Sequence, residues 1–297
     1  MGTPDFAAVS LTRLYDEGHD IAGVFTQPDK PRSRGMKVSF SPVKEVALSR
    51  GTPVCQPVSL KDGEALKQMQ EMKCDLAAVV AYGKFLTRDM LQLPPLGCIN
   101  IHASLLPEYR GAAPIAQAIL DGADETGVTS IYLSDKLDAG DVILSKSTLI
   151  DEDETAGELY DRLSVLGAEL LIETIDAIKH GRVSPQPQDN RKVTFAPPLN
   201  KEMSRIDWSE TAQRIKCKVR GLNPWPVATA QWGGTVFKIF SVDINEKTTA
   251  HAPGEIVSSG TDGLEVACSD GVVLIKELQA PGGKRMSAAD YLRGHSI

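Results

Sequence analysis

Asn100 and His102 stand two residues apart at the end of an apolar run, Gly97-Cys98-Ile99-Asn100-Ile101-His102, with Ser104 just beyond. A spacing of two puts both side chains on one face of a strand. The apolar, β-branched composition predicts that strand over residues 97–101, buried in a parallel sheet. In an open α/β sheet, ligands gather outside the carboxyl ends of strands, so an amide, an imidazole and a hydroxyl arriving there form a candidate site. The Asn100 amide carries two N–H donors and the His102 ring one or two, which suits an oxyanion forming on an attacked carbonyl. Asp138 follows in Leu137-Asp138-Ala139-Gly140-Asp141, where small residues permit a tight turn that leaves the carboxylate exposed. A carboxylate beside an imidazole either favours its charged form or takes a proton itself. With no Ser or Cys nucleophile in the set, direct acyl transfer to an amine fits better than a covalent acyl-enzyme. A strand-end Asn and His also serve as plain caps and loop anchors, so residue types alone leave both readings open.

Asn-x-His-x-Ser-Leu-Leu-Pro over residues 100–107, followed by Leu-Asp-Ala-Gly-Asp with His102 and Asp138 36 positions apart, resembles the signature of the 10-formyltetrahydrofolate-dependent formyltransferases. Further stretches resemble the branch of that family whose amine acceptor is methionine carried on initiator tRNA. They are Met1-Gly2-Thr3-Pro4-Asp5-Phe6-Ala7, Thr26-Gln27-Pro28-Asp29-Lys30-Pro31, Ser41-Pro42-Val43-Lys44, Tyr109-Arg110-Gly111-Ala112-Ala113-Pro114, Ile206-Asp207-Trp208 and Asn223-Pro224-Trp225-Pro226. The resemblance runs from end to end.

It implies transfer of a formyl group from 10-formyltetrahydrofolate, the formyl donor, to the α-amine of methionyl initiator tRNA, with no metal. Asn100 and His102 then stabilise the oxyanion, and Asp138 orients or deprotonates. The folate is expected against Ser104, Leu105, Leu106 and Pro107 and along the Tyr82-Gly83 turn, since a pterin needs an apolar slot with a few fixed polar groups. The loop carrying Arg32, Arg34 and Lys37 is expected at the tRNA acceptor end. This chain reads Ser33-Arg34-Gly35-Met36 where the family usually has a second Gly and a further basic residue. Two other readings share part of the pattern. A formyltransferase for a small amine, such as an amino sugar nucleotide or glycinamide ribonucleotide, would use the same Asn, His and Asp without a basic C-terminal domain. A non-catalytic tRNA-binding homologue would not need them.

The elements that must position these residues read as an α/β, Rossmann-like formyltransferase domain with a parallel-type sheet over residues 1–181. Residues 182–205 form a Pro-containing linker, and residues 206–297 a small OB-like β-barrel for tRNA. Helices are expected over 7–17, 42–50, 62–73 and 155–180, and strands over 21–26, 75–81, 129–134 and 141–149. Residues 209–221 read as a helix whose Arg214, Lys216, Lys218 and Arg220 pair at i, i+4 into a broad basic face. Five short strands between Gly and Asp turns follow, the barrel pattern. Met1-Gly2-Thr3-Pro4 reads as the turn after a strand that does not precede it. Family members carry an apolar strand there, so a truncated or internal start is the expectation.

Composition narrows the class. Of 297 residues, 42% are hydrophobic and 24% charged, ordinary for a globular protein with two cores. The five cysteines (Cys55, Cys74, Cys98, Cys217, Cys268) are scattered without metal-ligand spacing, which points to free thiols in a reducing compartment. No apolar run reaches the ~18 residues of a membrane span, and no leader pattern opens the chain, so a cytoplasmic protein, and one needing no more than a monomer, is expected. The net charge of −7 lies wholly in residues 1–205, while residues 206–297 balance. Local basic patches therefore remain compatible with a nucleic-acid partner.

Overall fold

The computed structural model describes residues 1–32, 37–245 and 247–297. In chain order the elements begin α1 (Asp5–Asp16), β1 (Val24–Phe25), β2 (Lys30–Arg32), β3 (Lys37–Ser39), α2 (Pro42–Ser49), β4 (Val54–Cys55), α3 (Glu64–Met72) and β5 (Ala77–Val79). Next come α4 (Arg88–Gln92), β6 (Cys98–His102), β7 (Arg110–Gly111), α5 (Pro114–Asp121), β8 (Glu125–Tyr132), β9 (Val142–Leu149), α6 (Ala156–Lys179) and β10 (Phe195–Ala196). The last stretch holds α7 (Ala212–Gly221), β11 (Ala228–Trp232), β12 (Thr235–Asn245), β13 (Ile256–Gly260), β14 (Gly263–Ala267), β15 (Val272–Gln279), β16 (Met286–Ser287) and α8 (Ala288–Leu292).

Helix starts follow capping chemistry. Ser41 and Thr87 accept the Lys44 and Met90 N–H groups at the head of α2 and α4, and Thr211 accepts the Arg214 N–H at the head of α7. At the head of α6, Thr155 and Glu158 form a reciprocal box: the Thr155 N–H donates to Glu158 Oε2 at 2.9 Å and the Glu158 N–H to Thr155 Oγ1 at 3.3 Å. Each bond satisfies a donor that the first helical turn leaves open.

The chain divides into two compact units that are not contiguous in sequence. The first holds Met1–Gly111, Thr126–Thr148 and Tyr160–Ala196; the second holds Ala112–Glu125, Leu149–Leu159 and Pro197–Ile297. In the first unit β1 pairs in parallel with β4, and β5, β6, β8 and β9 form a four-stranded sheet in that order. β5 and β6 are parallel, but β6 and β8 are antiparallel. The parallel-type sheet expected from sequence thus holds a parallel β5–β6 pair, to which β8 adds an antiparallel neighbour. The connection from His102 returns to the sheet at the end it left, and such a return gives an antiparallel neighbour. Met1 and Gly2 link the two sheets: the Gly2 N–H donates to Phe25 O at 2.9 Å and the Val80 N–H to Met1 O at 2.8 Å. Beside them, between β1 and β5, lies a cavity of about 450 Å³ lined by Leu11, Gly23, Val24, Ala77, Ala78 and Leu171 among others. Phe25, Met69, Val79, Tyr82, Met90 and Cys98 make a core beneath β5 and β6.

In the second unit β11, β12, β15, β14 and β13 form an antiparallel sheet, with β16 added on β15. Register shifts at Ile239/Ser241 and at Ile256/Ser258 mark bulges, which bend strands and increase their twist. Among the described pairings none joins β13 to β11, so the barrel expected from sequence takes the form of an antiparallel sheet without a closing pair. Ile215 and Val219 of α7 pack with Phe237, Ile239, Val266 and Ile275 into its core. Gly221 faces Leu120 of α5 so closely that a β-carbon would stand 2.8 Å from its Cγ.

Candidate active site

β6 delivers two polar side chains from an otherwise apolar strand. Asn100 lies opposite Val79 of β5 and donates Nδ2–H to its carbonyl at 3.1 Å. One N–H of the amide is thus anchored, and Oδ1 is buried without a hydrogen-bond partner among the described residues. An orphan acceptor of this kind costs about 1–3 kcal/mol, a cost that a donor on a ligand relieves. His102 is buried and its Nε2 lies 2.9 Å from Tyr109 O. A carbonyl only accepts, so Nε2 carries the hydrogen. That leaves Nδ1 facing Asp138 Oδ2 at 3.7 Å, a separation attractive only for the imidazolium.

Asp138 sits in the turn between β8 and β9 with φ +47°, a left-handed conformation uncommon for a residue with a side chain. The sequence around it answers the geometry. A β-carbon on Gly140 would stand 1.7 Å from Tyr132 O, so only glycine lets the turn close. The Gly111 N–H donates to Asp138 Oδ2 at 2.9 Å. Gln188 donates Nε2–H to the carbonyls of Asp138 and Gly140, each at 2.8 Å, and its Oε1 accepts from Arg110 Nε and Nη2. Thr194 completes the frame, accepting the Tyr109 N–H through Oγ1 and the Arg110 N–H through its carbonyl. Sequence pattern does not single out Arg110, Gln188 and Thr194 as site residues. Gln188 and Thr194 fall in the stretch read as linker. The only signal there was polar side chains in a segment too short of apolar residues for a core.

The remaining expected residues divide. Ser104 is fully buried, and its Oγ–H donates to Glu108 O at 2.6 Å, which locks the loop after β6. Leu105, Leu106 and Pro107 are half-buried and form an apolar lip. Tyr82 corrects the expectation for its turn: the ring packs in the core with Met69 and Met90, and burial pushes its phenol up to about 12. Its carbonyl and that of Gly83 already accept from Gln27 Nε2. Arg34 lies outside the described residues, as do the side chains of Arg32 and Lys37.

The basic face expected on α7 is also corrected. Lys216 and Arg220 are buried. Lys216 Nζ pairs with Glu152 at 3.0 Å and Asp153 at 2.7 Å, and Arg220 Nη1 donates to the carbonyls of Asp151 and Glu152. Burial works against the Lys216 charge, but the hydrogen bonds it donates to Asp153 and Glu152, with their negative charges, outweigh it and hold the ammonium above its ordinary value. These two side chains bind the 151–153 loop to α7. Arg214 is exposed and Lys218 half-exposed.

Comparison with known proteins shows the family of the chain. Residues 1–175 match the family model described as formyl transferase, and residues 198–296 the one described as formyl transferase, C-terminal domain. The chain is 47% identical to the methionyl-tRNA formyltransferase of Caldanaerobacter subterraneus subsp. tengcongensis, covering 100% of this chain and 96% of that one. It is 46% identical to that of Trichlorobacter lovleyi, covering 100% and 93%. Among solved structures it resembles the N-formyltransferase of Helicobacter canadensis in complex with folinic acid and dTDP-3-aminofucose, with a TM-score of 0.69 at 17% identity over 96% of this chain and 97% of that one. It also resembles HypX of Aquifex aeolicus in complex with tetrahydrofolic acid, with a TM-score of 0.60 at 20% identity over 82% and 43%. At those identities the likeness is one of fold. The closely similar relatives and both family models carry the assignment: the chain belongs to the methionyl-tRNA formyltransferase family.

Proposed function

We propose that this chain transfers the formyl group of 10-formyltetrahydrofolate to the α-amine of methionine esterified to initiator tRNA, for translation initiation. The observation that carries the reading is the approach of Asp138 to His102, with Asp138 Oδ2 held by the Gly111 N–H and Asn100 two residues before His102 on the same strand. The residues present fit the folate. A half-buried Leu105-Leu106-Pro107 lip meets its apolar body, and the unsatisfied Asn100 amide oxygen meets a polar hydrogen. When bound, 10-formyltetrahydrofolate supplies an activated formyl carbon.

The chain's own residues do the rest. Asp138 accepts a proton from the attacking α-amine, directly or through a water, as the new C–N bond forms. The second N–H of Asn100 donates to the formyl oxygen as its negative charge develops, and the His102 Nε2–H joins it by exchanging Tyr109 O for that oxygen. Asp138 then helps return a proton to the departing folate nitrogen as the old C–N bond breaks. The half-buried Leu105-to-Pro107 lip, anchored at the buried Ser104, is assigned to keep bulk water from the reacting carbon.

For the tRNA, the reading assigns phosphate contacts to Arg214 and Lys218 on α7 and to the loop bearing Arg32, Arg34 and Lys37. The enzyme works as a monomer in the cytoplasm. Among the described residues no helix is long and apolar enough to cross a membrane, in keeping with that location.

The deciding experiment is formyl transfer from 10-formyltetrahydrofolate to charged initiator Met-tRNA, run beside uncharged tRNA and beside Asp138→Ala. Transfer that requires the charged tRNA and collapses in the variant is the expected result. Efficient formylation of an amino sugar nucleotide, with none on Met-tRNA, would overturn it.

A further inference from the structure

We infer that Gln188 is a positioning residue for Asp138, an assignment that rests on the site reading above. Every hydrogen-bonding capacity of its amide is used. Both N–H groups go to the carbonyls of Asp138 and Gly140 at 2.8 Å, and Oε1 accepts from Arg110 Nε at 3.0 Å and Nη2 at 2.6 Å. No other natural side chain of this length offers two donors and a double acceptor in one plane. A glutamate in its place keeps the Arg110 bonds but sets a carboxylate oxygen against two carbonyls. A leucine leaves all four partners unmet.

The need for such a clamp is visible at Asp138 itself. With φ +47° its backbone sits in a region that persists only where the surroundings over-determine it. The two bonds from Gln188 hold the peptide oxygens on either side of Ala139, which fixes the turn from its inner edge. The other half of the amide holds the Arg110 guanidinium, and Arg110 adjoins Gly111, whose N–H donates to Asp138 Oδ2 at 2.9 Å. One side chain therefore fixes the backbone of the Asp138 turn and ties it to the segment that bears the carboxylate's donor, and with it the 3.7 Å approach to His102 Nδ1.

Gln188 is itself well placed to act as a fixed point. Two residues earlier, Gln186 exchanges both main-chain bonds with Val142 at 2.8 Å. Further on, Phe195 and Ala196 pair with Arg110 and Gly111. The segment from 186 to 196 is thus laid along both sides of the site, and Gln188 is its inward contact with the Asp138 turn.

A positioning role predicts loss of turnover without loss of binding, because reacting groups displaced by about an ångström forfeit rate on the order of 100-fold. The test compares Gln188→Glu and Gln188→Leu in the full chain, alone and combined with Asp138→Ala, in formyl transfer to charged initiator Met-tRNA. Each single variant is expected to lower kcat about 10- to 100-fold, with KM for both substrates within about twofold. In the Asp138→Ala background the same substitutions add no further loss, since no carboxylate remains to be placed. A harmless Gln188→Glu beside a damaging Asp138→Ala overturns the Gln188 assignment alone. So does an equal fold-loss in both backgrounds, which marks a general structural role. Undiminished turnover in Asp138→Ala overturns the site reading and this assignment with it. Gln188→Glu retains the Arg110 bonds and carries the test if Gln188→Leu does not fold.

Discussion

Gly111 holds Asp138 from the backbone: its N–H meets Oδ2 at 2.9 Å, while a β-carbon on Gly111 would stand 2.5 Å from Ala196 O. The residue combines φ +126° with a contact that admits no side chain. Gly111→Ala is expected to push β7 from β10, swing the N–H off the carboxylate and cost about 1–3 kcal/mol of stability. Thermal unfolding and turnover, measured together, check it. A variant with unchanged melting and full activity would show that the backbone here adjusts freely.

Asn100→Ala is expected to lower kcat about 100- to 1000-fold, the usual effect of removing one oxyanion donor, while tRNA binding stays unchanged. Asn100→Asp should be no better, because it sets an acceptor against Val79 O where Nδ2 now donates at 3.1 Å. Steady-state kinetics with both variants, beside gel retardation of charged tRNA, separates chemistry from binding.

Basic residues on α7 should divide into two kinds. Lys216 is 7% exposed while its partners Glu152 and Asp153 are 84% and 80% exposed, so its loss leaves two carboxylates that water still solvates. Lys216→Met is therefore expected to cost only about 1 kcal/mol and to leave tRNA affinity intact. Arg214→Ala and Lys218→Ala are expected to do the reverse, each weakening binding and lowering the slope of log K against log[salt] by about 1. Binding titrations at several salt concentrations decide.

Alkaline pH should destabilise the first unit through two buried groups that resist ionisation. Burial pushes the Cys98 thiol up to about 12, with Cys74 nearby adding to the rise, and Tyr82 likewise to about 12 with Cys55 adding. Both groups are neutral when folded and ionise lower when unfolded, at 9.0 and 10.0. Above those values the unfolded chain binds fewer protons than the native one, so stability falls as pH rises from about 9 toward 12. The slope approaches about 1.4 kcal/mol per pH unit for each group. Urea unfolding at pH 8 and pH 10, repeated with Cys98→Ala, is expected to show a shallower loss in the variant.

Much of this molecule can be read from short-range pattern. The strand ending at His102, the Asp138 turn and the helix over 156–179 follow from apolar spacing and small residues, which act within a few positions. What pattern does not carry is pairing across distance. Lys216 and Arg220 read as part of a basic face for tRNA because their partners, the Glu152 and Asp153 carboxylates for Lys216 and the Asp151 and Glu152 carbonyls for Arg220, lie more than 60 residues upstream. Gln188 reads as linker because its partners, Arg110 and the carbonyls of Asp138 and Gly140, are 48 or more positions away. Carbonyl groups have no letter in the sequence. The Tyr82-Gly83 turn reads as folate-lining by resemblance, yet the Tyr82 ring packs with Met69 of α3 and Met90 of α4, and nothing local to 82 announces them.

The interleaved course of the chain has a consequence for dissection. α5 and residues 149–159 belong with the carboxyl-terminal unit yet are flanked on both sides by stretches of the other. Proteolysis within 182–205 would therefore not release two separable pieces. The amino-terminal fragment would still own α5, against which Gly221 of α7 fits with no room for a side chain, and the acids that hold Lys216. A nicked protein is expected to run as one species on a sizing column and as two on a denaturing gel.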